Sequence, residues 1–194
     1  MSSDKDSAWA RVTGKGIYPV EYARWLLTPW RRLISPPSMI VGRLALRPTD
    51  RVLEIGCGPG YFSPIVARAL PQGLLTIFDF QDGMLDFAER RLKARGLRNF
   101  ARLQGDARAL PFQDASFEVA FMVTVLGEVD DPDAALGEAF RVLRSGGLLS
   151  VTEMFGDPDR IDFEDLLKRA AAAGFVFERR FGPRFFYTAN FRKP

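Results

Sequence analysis

Three glycines at alternate positions constrain this chain more than any other feature. Gly56, Gly58 and Gly60 stand between a short apolar run, Arg51-Val52-Leu53-Glu54-Ile55, and a helical pattern over residues 61–70. A strand that ends in such a loop and opens a helix lets the backbone turn sharply and lets a ligand approach with no Cβ in the way. It also leaves free N–H groups at the helix start. A dinucleotide loop would carry glycine at the third spaced position of G-x-G-x-x-G. Tyr61 stands there instead, so pyrophosphate binding and nicotinamide chemistry are disfavoured.

The rest of the chain alternates in the same way. Upstream the pattern is helical, over about Pro19–Thr28 and about Pro36–Leu46, with Pro29 as an interruption. Strands are predicted at 51–55, 74–79, 100–104, 117–123 and 148–154, and helices at 61–70, 82–95, 132–143 and 160–173. Residues 175–181 and 184–191 read as a terminal hairpin around Gly182-Pro183. Short apolar strands alternating with helices imply a mostly parallel sheet covered on both faces. Ligands then bind beyond the carboxyl ends of the strands. The loops on that edge are 56–60, 79–83, 105–109, 124–131, 155–159 and 182–183.

Composition narrows the chemistry. The 194 residues contain no histidine, which excludes a Ser-His-Asp or Cys-His nucleophile, a His-ligated metal and an imidazole base. No metal site is expected. The single cysteine, Cys57, cannot form an internal disulfide, which fits a reducing cytoplasm. No apolar run reaches the ~18 residues of a membrane span, and no apolar stretch of signal-peptide type stands in the first twenty residues. The net charge is +3. Five arginines between Glu21 and Arg47 (Arg24, Arg31, Arg32, Arg43, Arg47) read as solvated surface or as a face for an acidic partner.

The run Val52-Leu53-Glu54-Ile55-Gly56-Cys57-Gly58-Pro59-Gly60-Tyr61-Phe62-Ser63 resembles the first motif of class I S-adenosylmethionine-dependent methyltransferases. Further matches follow at Asp79, at Gln104-Gly105-Asp106-Ala107-Arg108-Ala109-Leu110-Pro111-Phe112, at Ala115-Ser116-Phe117-Glu118-Val119 and at Arg141-Val142-Leu143-Arg144-Ser145-Gly146-Gly147. These resemble the type 11 branch, which includes ubiquinone/menaquinone and phospholipid methyltransferases. The resemblance implies a Rossmann-like α/β fold: a seven-stranded, mostly parallel sheet with a terminal antiparallel hairpin and helices on both faces. It implies S-adenosylmethionine as cofactor, with Glu54, Gly56, Cys57, Gly58, Gly60, Asp79, Phe80, Asp106, Ala107 and Val123 as its contacts. Asp79 would meet the ribose hydroxyls and Asp106 the adenine amine. The branch often has His-His after strand four, where this chain has Gly127-Glu128.

On this reading residues 1–48 form a helical lid segment and residues 49–194 the cofactor-binding domain. Glu128, Asp130 and Glu153, at the ends of strands four and five, are candidate catalytic groups. Tyr18 is a candidate aromatic contact for a sulfonium. The expected reaction is in-line methyl transfer to a small-molecule acceptor without a histidine base. A fold that binds cofactor without turnover, and a peripheral enzyme of lipids or quinones, stay open beside it. Tryptophans and arginines at 25–34 suit either a lid or a transient membrane-surface contact. The Asn/Asp-Pro-Pro-aromatic run of base-amino methylases is absent after strand four, which argues against nucleic acid. No obligate protein partner is evident.

Overall fold

A computed structural model describes residues 18–28, 36–154 and 157–194. Its strands are β1 (Arg51–Ile55), β2 (Leu74–Asp79), β3 (Phe100–Gln104), β4 (Phe117–Val123), β5 (Leu143–Glu153), β6 (Val176–Phe181) and β7 (Tyr187–Arg192). They form one sheet in the order β3-β2-β1-β4-β5-β7-β6. The first five pair in parallel, and β7 runs antiparallel between β5 and β6. This is the expected seven-stranded architecture with its terminal hairpin. Strand order reverses beside β1, between β2 and β4, which places the ligand crevice beyond those carboxyl ends.

The helices are α1 (Pro37–Leu44), α2 (Ser63–Ala69), α3 (Asp82–Lys93), α4 (Pro132–Val142) and α5 (Phe163–Ala172). Side chains on a strand alternate between faces, and β1 shows the result. Val52 joins Ile40, Leu44, Val66, Leu85 and Leu92 in the core under α1, α2 and α3. Leu53 and Ile55 join Leu136, Val142, Phe163 and Leu166 in the core under α4 and α5. Both faces are therefore covered, as a parallel sheet requires.

Two elements differ from expectation. Residues 20–27 are helical, but as the 3₁₀ segment Val20–Leu27. β5 begins at Leu143, directly at the end of α4, rather than at Leu148. The chain tail causes this. The Gly146 N–H donates to the Lys193 carbonyl, and the Lys193 N–H to Gly147. The Lys193 ammonium also caps α4 through the carbonyls of Phe140 and Leu143, both at 2.8 Å. Residues between Phe117↔Leu143 and Val119↔Leu148 bulge out of register. Among the described residues no helix is long and apolar enough to cross a membrane. Pro29, Arg31 and Arg32, named above, lie outside the described residues, as do Trp30 of the 25–34 segment and Phe155 and Gly156 of the 155–159 loop.

Candidate active site

The glycine loop is tied to the neighbouring strand, because the N–H groups of Gly56 and Cys57 both donate to the Phe78 carbonyl, at 2.8 and 3.1 Å. All three glycines have positive φ, 68°, 51° and 73°, a conformation costly for any residue with a Cβ. Their surroundings differ. A Cβ on Gly56 would sit 2.4 Å from a Val125 methyl, and one on Gly60 would sit 2.7 Å from the Ala88 Cα. A Cβ on Gly58 would meet nothing within 4 Å among the described residues. Gly56 and Gly60 therefore serve packing, and Gly58 faces the open cleft.

Two carboxyls lie beneath this loop. Asp79, at the end of β2, accepts from the Gly58 N–H at 2.8 Å and the Gln81 N–H at 2.9 Å. It thus latches the loop to the entry of α3. Burial nevertheless holds its pKa above the ordinary range. Glu54 is buried on the α2 and α3 face. Desolvation, and to a lesser degree the Asp79 charge, pushes its carboxyl up to about 8. The Ser63 hydroxyl on the same side opposes that shift. It does not close a well-formed bond to Oε2, which has no partner among the described residues. A buried polar atom of this kind calls for a donor.

Beyond β4 and β5 a second acidic group assembles. Thr124 takes φ +53°, a strained value for a β-branched residue, and turns the chain into the 3₁₀ segment Leu126–Glu128. Gly127 packs against the backbone of Asp159. That contact brings Asp157 and Asp159 to Glu128, whose pKa rises to about 8 through burial first and their charges next. The Tyr18 N–H opposes the rise by donating to the same carboxyl. Glu153, at the end of β5, is 0% exposed. Neither of its oxygens reaches a hydrogen-bond partner among the described residues. Burial, then Asp157, raises it well above the ordinary range, against weaker relief from Arg160 and the Ile161 N–H.

The structure brings Glu128 and Glu153 together, while Asp130 stands apart. Its side chain is 87% exposed and pairs with Arg108 at 3.4 Å. Arg108 chiefly holds Asp106, at 2.7 Å, which keeps that carboxyl below its ordinary range. Phe80 is 55% exposed beside Asp79. Val123 and Ala107 are partly buried at the ends of β4 and β3, and Cys57 is buried within the loop. Tyr18 engages through its backbone, for its carbonyl also accepts from the Gln81 amide at 2.8 Å. Sequence reasoning passed over Asp157, Gln81 and the contact made by Gly127. Among the described residues no three Asp, Glu or Cys side chains gather closely enough to hold a metal ion.

The comparisons agree with this geometry. Residues 52–147 match the model of a methyltransferase domain. The chain is 39% identical over 126 residues to a ubiquinone/menaquinone biosynthesis C-methyltransferase of Xanthomonas oryzae, covering 64% of this chain and 47% of that one. It is 32% identical over 120 residues to a demethylmenaquinone methyltransferase of Geobacillus stearothermophilus, covering 61% and 51%. The chain thus spans about half the length of these curated relatives. A solved S-adenosylmethionine-dependent methyltransferase of Aquifex aeolicus superposes with a TM-score of 0.85 over 92% of this chain and all of that one, at 18% identity. The sheet order, the glycine loop at its reversal point and the matched domain together make this chain a member of the class I S-adenosylmethionine-dependent methyltransferases.

Proposed function

We propose that the chain transfers a methyl group from S-adenosylmethionine to a small-molecule acceptor held beyond β4 and β5, with Glu128 accepting the acceptor's proton. The residues present fit the cofactor. The unpartnered oxygen of Glu54 suits an ammonium donor, and the open face of Gly58 leaves room for a ligand against the backbone. Asp79 keeps lone pairs beyond its two loop bonds for ribose hydroxyls. Asp106 and the exposed Phe80 ring lie where the adenine side is expected. When bound, the cofactor supplies a methyl group activated by its sulfonium.

The chain's own part is to orient, to exclude water and to hold a proton. Holding two reactants in line supplies up to about 7–11 kcal/mol of a barrier, so an enzyme without histidine can still turn over. The observation that carries the reading is Glu128. It is a partly exposed carboxyl at a strand end, raised to about 8 by its surroundings, and a base works best when its pKa lies near the working pH.

The names of the two bacterial relatives favour a second reading, a quinol-type acceptor reached at a membrane surface. A labelled-methyl screen against thiols, phenols, quinols, amines and lipid extracts separates the two readings. Calorimetry with S-adenosylhomocysteine checks the shared premise. No binding would end both readings, whereas binding without transfer to any class would leave a cofactor-binding protein without turnover.

A further inference from the structure

Glu128, Glu153 and Asp157 converge on the acceptor side of the cleft. Asp157 raises the proton affinity of both glutamates, and Glu128 raises that of Glu153. Among the described residues the cation facing them is Arg160. Its guanidinium is already engaged with the Asp162 carboxylate at 2.5 Å and the Arg184 carbonyl at 3.1 Å. Glu153 lies enclosed within the cluster with both oxygens unpartnered among the described residues. Buried polar groups are ordinarily satisfied, and a group of mutually repelling carboxyls is relieved by a cation. No metal-binding set is gathered among the described residues.

We propose that this cluster selects an amine acceptor, which enters as its ammonium ion and gives a proton to Glu128. The proposal rests on the reading of the cleft as a methyl-transfer site and names the acceptor class which that reading leaves open. An ammonium brings positive charge and three N–H donors to carboxyls that Arg160 and the Tyr18 and Ile161 N–H groups relieve only in part. A phenolate, thiolate or quinolate nucleophile would instead add negative charge beside carboxyls that already oppose one another.

The step balances. The Glu128 carboxylate takes one N–H proton and frees the nitrogen lone pair. That pair forms the N–C bond while the S–C bond breaks and its electrons return to sulfur. The products are S-adenosylhomocysteine and the methylated ammonium. An aliphatic ammonium titrates near 10.4. Giving its proton to a carboxyl at about 8 is roughly a hundredfold unfavourable, whereas an ordinary glutamate would make it roughly a millionfold. Asp157 and Glu153 act through Glu128 and through the charge they present, as positioning residues.

Calorimetry on the full chain saturated with S-adenosylhomocysteine tests this. The probes are n-butylamine, benzylamine and phenethylamine, each against its matched alcohol. At least one amine is expected to bind tenfold or more tighter than its alcohol. The heat should vary with buffer ionisation, because an ammonium seated beside Glu128 displaces to the buffer the proton that a carboxyl at about 8 carries near neutral pH. Glu128→Gln and Asp157→Asn should each cut the preference below threefold while S-adenosylhomocysteine affinity stays within threefold. Should Glu153→Gln fail to fold, the exposed-side Asp157→Asn variant still decides. Amines that bind no better than their alcohols would overturn the proposal, as would a preference that survives both substitutions. If S-adenosylhomocysteine itself does not bind, the methyl-transfer reading falls first, and the same titration shows it.

Discussion

The backbone of Gly127 lies so close to Asp159 that a Cβ on Gly127 would stand 1.7 Å from the Asp159 carbonyl oxygen. Only glycine permits this contact, and the contact carries Asp157 and Asp159 to Glu128. Any larger residue at 127 would expel the turn around Asp159. Gly127→Ala should therefore cost about 1–3 kcal/mol of stability, the range of an overpacked core. It should lower kcat at least tenfold, since the carboxyls that tune Glu128 move away. S-adenosylhomocysteine affinity should change less than threefold, because the glycine loop is untouched. Chemical denaturation, steady-state kinetics and calorimetry read the three effects separately.

Gly58 and Gly60 should part company under the same substitution. Gly60→Ala forces a Cβ to 2.7 Å from the Ala88 Cα, so it should lower Tm by several degrees. Gly58→Ala meets no atom of the described residues and should cost only the roughly 1–2 kcal/mol of left-handed strain. Yet it places a methyl in the cleft and should weaken S-adenosylhomocysteine more than tenfold. Asp79→Ala should also exceed tenfold. It leaves the Gly58 and Gln81 N–H groups without their acceptor, and bonds to charged groups are worth about 1.5–3 kcal/mol each. Unaltered calorimetric affinity in both Gly58→Ala and Asp79→Ala would sink the cofactor assignment.

Most of the strand ends were legible because each is a short apolar-rich run, stopped at β1 and β3 by Gly56 and Gly105 and at β2 by Asp79 itself. β1, β3 and β4 begin and end at the residues expected from the sequence. The start of β5 was not legible, because Leu143–Gly147 is extended by bonds to Lys193, some fifty residues later. Glu54, Asp79 and Glu128 were visible as residues, but their perturbation was not. It follows from burial and from neighbours that only the fold assembles. Asp157 sits in Gly-Asp-Pro-Asp, which reads as an ordinary turn. The signal that could have found it is Gly127, a glycine inside a strand-end loop with no turn to explain it.

The raised carboxyls predict how stability depends on pH. Glu54 and Glu128 titrate at about 8 in the fold, against about 4.3 in an unfolded chain. Between those values the folded state holds more protons than the unfolded state, so stability falls as pH rises. The loss is complete above about 8 and absent below about 4. Each group costs up to about 1.4 kcal/mol per pH unit across the window. Tm of the cofactor-free chain should therefore fall steadily from pH 5 to pH 8. Glu54→Gln and Glu128→Gln should each flatten that slope. A slope that is flat or rising in the parent chain would refute the assignment of both shifts.

The same Glu128 shift sets the activity profile. A base works when deprotonated, so kcat should rise with pH on a limb near 8, and no step near 6.5 should come from the protein, which has no histidine. Glu128→Gln should remove the limb and lower the plateau. Asp157→Asn should move the limb downward, because the largest charge acting on Glu128 is gone. A limb that keeps its position in both variants and follows the acceptor's own pKa would instead indicate catalysis by positioning alone.

The entry of the chain supplies the last expectation. The Tyr18 carbonyl accepts from Gln81, at the start of α3, and the Tyr18 N–H donates to Glu128, after β4. One residue thus bridges the loops on both sides of the cleft. Val20 follows it onto Gly83, where an added Cβ would stand 2.8 Å from a Val20 methyl. Ala23 is fully buried, and Leu27 packs against the core under α1, α2 and α3. Residues 18–27 therefore lie across the entry of α3 and against the core under α1, α2 and α3, and they are expected to cover the mouth of the site. Deleting residues 1–34 should leave the sheet and its two cores folded, with a lower Tm for the loss of Ala23 and Leu27. Methyl transfer should fall at least a hundredfold, because water enters and Glu128 returns toward an ordinary carboxyl. Gln81→Ala removes one anchor alone and should raise KM more than it lowers kcat. Limited proteolysis distinguishes a strap over the cofactor from a membrane anchor. S-adenosylhomocysteine should protect the bonds around residues 18–28, and anionic liposomes should not. Protection by liposomes alone would mean that this segment seats on a lipid surface and that the cleft is closed by something else.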